Sequence, residues 1–384
     1  MDIETTLTRG VTNIIPEEKG LAKLLSSDKK LNVYLGIDPT ATKIHIGHAV
    51  ALRKLQEFVE LGHNVTFLIG DFTALIGDTS DKNSERPILT SKEIEENFKS
   101  YKKQAKKILD FSKVTLRHNS EWLKKLTFTN IVELAQNFSV GDFVGRELIR
   151  KRLDEGTRVR LDEMLYPVMQ GYDSCHLDTD IQIGGADQTF NMQAGRTLQK
   201  NLRNKESFVL VTGYIEGTDG RKMSKSWGNA IWLEDSPNDM FGKVMSIRDE
   251  LILNYFNLAT NIPSKEVAEI EKELKEAENP IVLKTKLAET LVSELHSKEE
   301  AKKAKEHFEK TFQEGEPEFK KEIENKGNLV STIAQEAGSN SEAKRLIAQE
   351  AVDVDGETIT DPTFELKGGE KVQIGKKIFV KIRK

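Results

Sequence analysis

Residues 31–59, LNVYLGIDPTATKIHIGHAVALRKLQEFV, carry three structural signals in succession. In Leu31–Ile37 apolar residues alternate with other residue types, which is typical of a half-buried strand. Asp38–Thr42 is rich in turn-forming residues, and from about Gly47 the apolar residues recur at helical spacing. A strand, a loop and a helix make half of a βαβ unit, and open α/β sheets bind ligands at the carboxyl ends of their strands. The stretch therefore predicts a parallel α/β sheet with a ligand site beside this turn.

Two histidines stand at the predicted start of this helix. His45 and His48 are three residues apart, so at a helix start they point the same way, and Gly47 between them leaves room for a ligand to approach the backbone. The unpaired N–H groups of a helix start also attract anions. The pattern predicts an anion site; the alternative is two surface histidines on a loop.

A second group of charged residues lies about half the chain away, in the glycine-flanked segment Lys222-Met223-Ser224-Lys225-Ser226. Phosphoryl and nucleotidyl transfer require positive charge where negative charge develops, and a loop can close over a triphosphate and then open. We interpret Lys222 and Lys225 as such charges on a mobile loop. A solvated basic loop is the alternative, and for a single Lys-x-x-Lys it is the usual one.

Other candidate site residues follow predicted strands or share one helix face. Asp78 follows the second strand, Val65–Gly70, in a turn where it binds an ammonium group or simply caps the turn. Tyr166, Gln170 and Asp173 lie at positions i, i+4 and i+7 of a helix. Burying such polar groups is costly unless they are paired, so an exposed polar face is the alternative to a binding site.

The predicted strand Ile181–Ile183 ends in Gly184 and Gly185, which admit a close ligand. Asp187 follows them and is placed like a ribose-binding acid. A further strand, Phe208–Thr212, leads to the lysine loop.

Composition limits the remaining possibilities. The chain has 384 residues, 37% hydrophobic and 31% charged, and a formal net charge of −5, so any contact with nucleic acid must come from local basic patches. Its single cysteine, Cys175, excludes an internal disulfide and a cysteine-based zinc site. The N-terminus lacks a secretory signal and no apolar run is long enough to span a membrane, so we expect a cytoplasmic location.

The histidine-glycine-histidine start and the later Lys-Met-Ser-Lys-Ser loop, in that order, resemble the two signatures of class I aminoacyl-tRNA synthetases, without a substitution. The other candidates narrow the resemblance to the tyrosyl-tRNA synthetase family, over essentially the whole chain. The resemblance places the substrate phenol at Tyr34 and Asp173, and the substrate ammonium at Asp78, Tyr166 and Gln170. It places the substrate carboxylate near Gln188. For ATP it implies contacts from Asp38, Thr40, His45, Gly47, His48, Asp187, Lys222, Ser224 and Lys225.

The family resemblance implies a tyrosine–tRNA ligase. Such an enzyme converts L-tyrosine and Mg²⁺-bound ATP to tyrosyl-adenylate and pyrophosphate, then transfers the tyrosyl group to the 3′-terminal adenosine of tRNA(Tyr). His45, His48, Lys222 and Lys225 would act on the phosphates, and no protein metal cluster is visible. Two departures from some members, Leu35 and Ala51, remove side-chain contacts near the ribose.

Two alternatives stay open. The first is tryptophanyl-tRNA synthetase, which shares both signatures; Tyr34 with Asp173 favours a phenol over an indole, because an indole N–H only donates. The second is a non-catalytic, synthetase-like RNA-binding protein. The intact signatures argue against it.

Four regions are predicted along the chain. Residues 1–236 form a Rossmann-like parallel-sheet domain, with a charged helical lead-in over 1–30, a helix over 91–112 and a strand at Val114–Arg117. Within it, residues 128–172 form a helical insertion whose basic residues are a solvated face or, on the family resemblance, serve dimer and tRNA contacts. These basic residues are Arg146, Arg150, Lys151, Arg152, Arg158 and Arg160.

The C-terminal third is predicted to be an α-helical anticodon-binding domain at 237–312, a linker at 313–326 and a small α+β module at 327–384. In the module we predict helices beginning near Leu329 and at a capping Ser341, short strands, and a hairpin turn at Asp355-Gly356. The module resembles the S-four-type RNA-binding module of bacterial tyrosyl-tRNA synthetases. Its basic cluster supports RNA binding or is a solvated tail; it comprises Lys344, Arg345, Lys376, Lys377, Lys381, Arg383 and Lys384.

Overall fold

The computed structural model describes residues 2–78, 89–224, 227–276, 279–313, 319, 321–375 and 378–383. They form two compact units, residues 1–305 and residues 306–384.

A six-stranded sheet lies at the centre of the first unit, in the order β1-β6-β5-β2-β3-β4. Neighbouring strands from β6 to β4 are parallel, and only β1 at the edge runs antiparallel to its neighbour, β6. The strands are β1 (Val11–Ile15), β2 (Asn32–Ile37), β3 (Asn64–Ile69), β4 (Val114–His118), β5 (Ile181–Gly185) and β6 (Phe208–Thr212).

The predicted strands are confirmed to within a few residues. More of β2 is buried than the alternation of apolar residues predicted, because Val33, Tyr34 and Leu35 are all buried. A central parallel strand is covered on both faces, so even its less apolar positions lie inside. The predicted helical lead-in, residues 1–30, is wrong at Val11–Ile15, which forms β1. This segment pairs with a strand almost two hundred residues later, so its own pattern gives little sign of it.

Helices cover the sheet and fill the rest of this unit. Those before β5 are α1 (Ile3–Thr8), α2 (Glu18–Leu25), α3 (Ile46–Glu60), α4 (Ser91–Ala105), α5 (Ser120–Leu123), α6 (Phe128–Ala135), α7 (Val140–Val144), α8 (Glu147–Asp154) and α9 (Leu161–His176). Those after β5 are α10 (Thr189–Arg203), α11 (Pro237–Met245), α12 (Ile252–Ala259), α13 (Ser264–Glu276), α14 (Ile281–Leu295) and α15 (Lys298–Phe308), which extends past the end of the unit.

Two of these helices position the site. The helix α3 begins after β2, as predicted, with His45 as its N-cap residue. The helix α9 packs closely on α10: a Cβ at Gly171 would lie 3.0 Å from the backbone carbon of Ala194. On another side of α9, Tyr166 and Asp173 contact Asp38 and Asn119, which directly follow β2 and β4. The helix predicted over 91–112 ends earlier, at Ala105.

One basic residue of the insertion is not on a solvated face. Arg152 is 1% exposed, and its guanidinium pairs with Glu163, also 1% exposed, at 2.6 Å from Nη1 to Oε2. Glu163 also accepts the backbone N–H of Arg160. The prediction of a solvated face is therefore wrong at Arg152. Its buried ion pair joins α8 to the first turn of α9.

The second unit contains a five-stranded sheet in the order β7-β11-β10-β8-β9. Its apolar core includes Leu329, Ile333, Ile347 and Val380. The elements are β7 (Lys321–Ile323), α16 (Leu329–Ala337), α17 (Asn340–Ala348), β8 (Val352–Val354), β9 (Glu357–Thr358), β10 (Lys371–Ile374) and β11 (Ile378–Ile382).

Most secondary-structure predictions for this unit are confirmed. Asp355 and Gly356 have positive φ values of 51° and 88° and join β8 to β9, as the hairpin signal indicated. The cap of α17 is Ser339 rather than Ser341, because its Oγ accepts the N–H of Glu342. The predicted linker is wrong at Lys321–Ile323, which pairs with β11; residues 314–318 lie outside the described residues.

The predicted fold class is confirmed: a parallel-strand α/β sheet, helical regions and a small C-terminal sheet. Residues 237–305 fall in the same unit as the large sheet, and the finer division into four domains stays a prediction. Within the described ranges, no helix is both long enough and apolar enough to cross a bilayer.

Candidate active site

A cavity of about 430 Å³ opens beside the carboxyl ends of β2, β3 and β5. It is lined by nearly all of the predicted site residues, which come from segments between β2 and the turn after β6. Those lining it are Tyr34, Asp38, Thr40, His45, Gly47, His48, Asp78, Tyr166, Gln170, Asp173, Asp187, Gln188 and Lys222. Ser224 does not line it, and Lys225 lies outside the described residues. Leu35 and Ala51, the two departures, also line it.

The two histidines meet at the start of α3. Their rings stack with centroids 3.7 Å apart, as their spacing predicted. Burial, followed by the charges of His48 and Lys222, lowers the pKa of His45 to about 2, so this imidazole is neutral. Its Nδ1 is buried and has no hydrogen-bond partner among the described atoms. A Cβ at Gly47 would lie 2.9 Å from that nitrogen, so the glycine makes room for the ring.

Lys222 approaches the histidines from a turn after β6. The backbone of Lys222 bridges to that of Glu216, and its side chain is exposed at the cavity. Its charge contributes to the lowered pKa of His45. The histidine pair and Lys222, some 170 residues apart in the chain, therefore face the same space.

Polar groups also form the deep end of the cavity. Tyr34 is buried and its hydroxyl donates to Gln182 Oε1 at 3.3 Å. Asp173 is 3% exposed and accepts hydrogen bonds from Trp122 Nε1 at 2.7 Å and Asn119 Nδ2 at 3.0 Å. Burial raises the pKa of Asp173 to about 8, although both hydrogen bonds oppose the shift. The predicted alternative of an exposed polar face on α9 is therefore wrong.

Asp38 joins two parts of the site. Its Oδ1 accepts the hydroxyl of Thr73 at 2.7 Å, and its Oδ2 accepts the hydroxyl of Tyr166 at 2.9 Å. Gly70, at the end of β3, leaves the space that this carboxylate fills, since a Cβ there would lie 2.0 Å from Oδ1. Burial raises the pKa of Tyr166 well above its ordinary value, so the phenol stays protonated as a donor.

Asp78 lies in a third polar group. Its Oδ2 accepts Gln188 Nε2 at 2.6 Å and Asn191 Nδ2 at 3.3 Å. Asp78 is 8% exposed, whereas Asp187 is exposed at the mouth of the cavity. The carboxylate of Asp78 thus accepts hydrogen bonds from two side-chain amides, and the turn that it was alternatively predicted to cap continues outside the described residues.

Sequence reasoning missed the residues that support these groups. Asn119 and Thr73 each follow a parallel strand, so the rule that led to Asp78 could have found them. Trp122, Gln182 and Asn191 carry no local signal, because each becomes a partner only when distant segments pack together.

The arrangement separates two chemical environments. One end carries a histidine pair and a lysine, suited to phosphate groups. The other carries buried hydrogen-bonding groups suited to a polar ring substituent. Within the described residues, no cluster of three or more His, Cys, Asp or Glu side chains could hold a metal ion.

A parallel sheet with a histidine helix start and a lysine turn around one cavity defines the class I aminoacyl-tRNA synthetases. Residues 26–313 match the model of the family described as tRNA synthetases class I (W and Y). The chain is 44% identical over 385 residues to the tyrosine–tRNA ligase of Thermotoga maritima, covering 98% of this chain and 96% of that protein. It is 41% identical to that of Haemophilus influenzae, covering 100% and 98%. The chain belongs to this class I family, and within it to the tyrosyl-tRNA synthetases.

Solved structures agree with the fold. A C-terminally truncated mitochondrial tyrosyl-tRNA synthetase of Aspergillus nidulans, 24% identical, has a TM-score of 0.66 and covers 79% of this chain and 92% of its own. The tyrosyl-tRNA synthetase of Archaeoglobus fulgidus, complexed with L-tyrosine, is 25% identical with a TM-score of 0.62, covering 79% and 100%.

Proposed function

We propose that this chain is a tyrosine–tRNA ligase that activates L-tyrosine with ATP and then transfers the tyrosyl group to tRNA(Tyr). One observation carries the proposal. A single cavity of about 430 Å³ is lined by the histidine pair, by Lys222 and, at its deep end, by Tyr34 and Asp173. A nucleotide and an amino acid can therefore meet in it.

Tyrosine enters with its phenol at Tyr34 and Asp173. Asp173 is already oriented by Trp122 and Asn119, so it presents its remaining acceptor capacity to the phenol hydroxyl. A substrate without that hydroxyl leaves buried polar groups unpaired, which costs about 1–3 kcal/mol per group. Asp78, Tyr166 and Gln170 hold the substrate ammonium, and Gln188 lies near its carboxylate.

ATP binds toward the mouth of the cavity, with Asp38, Thr40, Gly47, Asp187 and Ser224 near the nucleotide. The tyrosine carboxylate attacks the α-phosphate, forming the carboxyl–phosphate bond of tyrosyl-adenylate and breaking the bond to pyrophosphate. No enzyme nucleophile takes part. His45, His48, Lys222 and Lys225 stabilise the charge on the phosphates in the transition state.

Mg²⁺ enters this proposal with the nucleotide. The phosphate oxygens of ATP are the ligands that Mg²⁺ prefers in such sites, and it would supply further positive charge to the triphosphate. The described residues offer no cluster that could hold the ion by protein ligands alone.

The remaining regions are assigned to tRNA and to a second subunit. We assign residues 237–312 to anticodon binding. We assign residues 327–384, together with the strand Lys321–Ile323 that pairs with β11, to an S-four-type RNA-binding module. Residues 1–236 form the catalytic domain. Apolar side chains exposed in its insertion, with Phe128 at 82%, Val140 at 78% and Leu161 at 79%, support a homodimer that covers them. We place the enzyme in the cytoplasm.

ATP–pyrophosphate exchange with tyrosine, tryptophan and phenylalanine in parallel tests the proposal. We expect exchange with tyrosine. Exchange with tryptophan instead would assign the chain to the tryptophanyl enzymes, and no exchange with any of the three would indicate a non-catalytic RNA-binding protein.

A variant tests the role of the histidines. His48→Ala should lower the single-turnover rate of tyrosyl-adenylate formation on the order of 10²-fold, with little change in tyrosine affinity. His63→Ala is the matched control, because His63 lies just before β3, at the opposite end of the strands from the cavity. An unchanged activation rate in His48→Ala would refute the phosphate role.

A further inference from the structure

The lysine turn is organised by one buried side-chain amide outside the signature. Asn229 is 3% exposed. Its Nδ2 donates to Asp219 Oδ1 at 2.8 Å and to the carbonyl oxygen of Lys222 at 3.0 Å, and its Oδ1 accepts the N–H of Ser224 at 2.8 Å. Its own carbonyl accepts the N–H of Thr218 at 3.0 Å. The amide thus fixes the backbone on both sides of Met223.

The fit around this amide is close. A Cβ at Gly217 would lie 2.6 Å from Asn229 Nδ2 and from the Asn229 carbonyl oxygen. Only glycine therefore allows the chain at residue 217 to pass this close to Asn229. The hydrogen bond from Asn229, together with those from Arg221, lowers the pKa of Asp219 to about 2. Asp219 is therefore a carboxylate acceptor throughout the physiological range.

The segment that follows Asn229 also holds the histidine helix. The carbonyl oxygen of Ile231 accepts the N–H of Ile46 at 2.9 Å, at the start of α3. The backbone of Trp232 bridges to that of His45, and their rings lie 5.8 Å apart. Four consecutive residues thus contact the lysine turn at one end and the histidine start at the other.

We propose that Asn229 is a positioning residue for Lys222, and that residues 229–232 set the separation between the lysine turn and the histidine start. This inference rests on the proposed function, in which both groups act on one triphosphate. Displacement of a catalytic group by about 1 Å lowers rates by as much as about 10²-fold. Losing Asn229 should therefore impair adenylate formation although Asn229 does not line the cavity.

The test compares Asn229→Ala, Lys222→Ala and the double variant in single-turnover adenylate formation. We expect Asn229→Ala to lower the rate about 10- to 100-fold with an unchanged KM for tyrosine. In the Lys222→Ala background the same change should cost less than about threefold, because residues acting through one another are not additive. Asn64→Ala, at the first residue of β3, is the matched control; its amide makes one exposed hydrogen bond, to Asn32.

Asn229→Asp tests the donor and the acceptor of the amide separately. The aspartate keeps an acceptor for Ser224 but loses both donors, and it places a second carboxylate beside Asp219. We expect it to be as impaired as Asn229→Ala. A wild-type rate in Asn229→Asp, or equal losses from Asn229→Ala in both backgrounds, would overturn the positioning role.

A readout without substrates separates this inference from the proposed function. Hydrogen exchange of peptides covering 216–224 should be faster in Asn229→Ala than in Asn64→Ala. Unchanged exchange would overturn the inference while the tyrosine-dependent activity of the wild-type enzyme stands.

Discussion

Gly70→Ala adds a single methyl group in the middle of the site. Gly70 has no unusual φ value, so alanine suits its backbone, and the effect comes from space alone. The new Cβ would lie 2.0 Å from Asp38 Oδ1 and 2.4 Å from Thr73 Oγ1, whereas ordinary contacts begin at 3.4 Å. The Asp38 carboxylate must therefore move away from its present position.

That movement breaks the hydrogen bond from Thr73 and displaces the one from Tyr166. A hydrogen bond to a charged group contributes about 1.5–3 kcal/mol, so the loss is about 1.5–3 kcal/mol for one bond and about 3–6 kcal/mol for both. These energies are losses of folding free energy. The rate falls because Asp38 and Tyr166 are displaced within the site, and since a displacement of about 1 Å lowers rates by as much as about 10²-fold, we expect adenylate formation to slow at least about tenfold. The KM for tyrosine should rise as well, because the Tyr166 hydroxyl no longer donates to Asp38 in its present position.

The measurement is single-turnover adenylate formation together with thermal unfolding. Gly242→Ala, in the helix α11, is the matched control, because a Cβ there meets nothing within 4 Å. It should leave activity unchanged and stabilise the helix by about 0.5–1 kcal/mol. If Gly70→Ala matched Gly242→Ala in both rate and melting temperature, the close fit around Asp38 would be refuted.

Three further predictions concern buried polar groups. The pKa of Asp173 is raised to about 8, so the folded protein binds a proton that the unfolded chain releases above its ordinary pKa, and stability falls as pH rises from about 4 to 8. The melting temperature of Asp173→Asn should therefore rise relative to that of the wild type between pH 5 and pH 8.5, roughly the range of this titration. A constant difference between the two melting temperatures would contradict the raised pKa of Asp173. Trp122→Phe removes a donor to Asp173, which raises the Asp173 pKa further and weakens it as an acceptor. The ratio of kcat/KM for tyrosine over phenylalanine in pyrophosphate exchange should fall about tenfold, and an unchanged ratio would exclude this role. Arg152→Met leaves Glu163 as a buried charge without its cation and should destabilise the protein by about 3–5 kcal/mol in thermal unfolding. The exposed neighbour Lys151→Met is the control, and equal melting temperatures of the two variants would count against the ion pair.

The parts of the fold that follow from local pattern were predictable. The strand β2, the turn after it and the helix α3 are each specified within about ten residues, by alternation, turn residues and helical spacing. The strands β1 and β7 were not, because each pairs with a strand that lies far away in the chain, β1 with β6 and β7 with β11. Such a segment becomes a strand when a distant partner supplies its hydrogen bonds.

The site residues, too, were predictable where a local pattern specifies them and not where distant segments must pack together. His45 and His48 stack because their spacing places them on one side of a helix start, which the sequence alone implies. The mobility of the lysine loop stays a prediction, whereas the hydrogen bonds of Asn229 to Lys222 and Ser224 were not predicted. Nothing in an isolated asparagine distinguishes this role from that of an ordinary turn residue.

Burial of the polar face of α9 is the clearest example of information that is absent from the pattern. A tyrosine, a glutamine and an aspartate at helical spacing fit an exposed face and a binding site equally well, because both are polar. What decides between them is the supply of partners: Asp173 is buried with donors from Asn119 and Trp122, and Tyr166 with the acceptor Asp38. Since an unpaired buried polar group costs about 1–3 kcal/mol, these partners are a condition of the burial. A polar helix face is therefore recognised as a site when strand ends elsewhere in the chain carry the complementary donors and acceptors, as Asn119 does directly after β4.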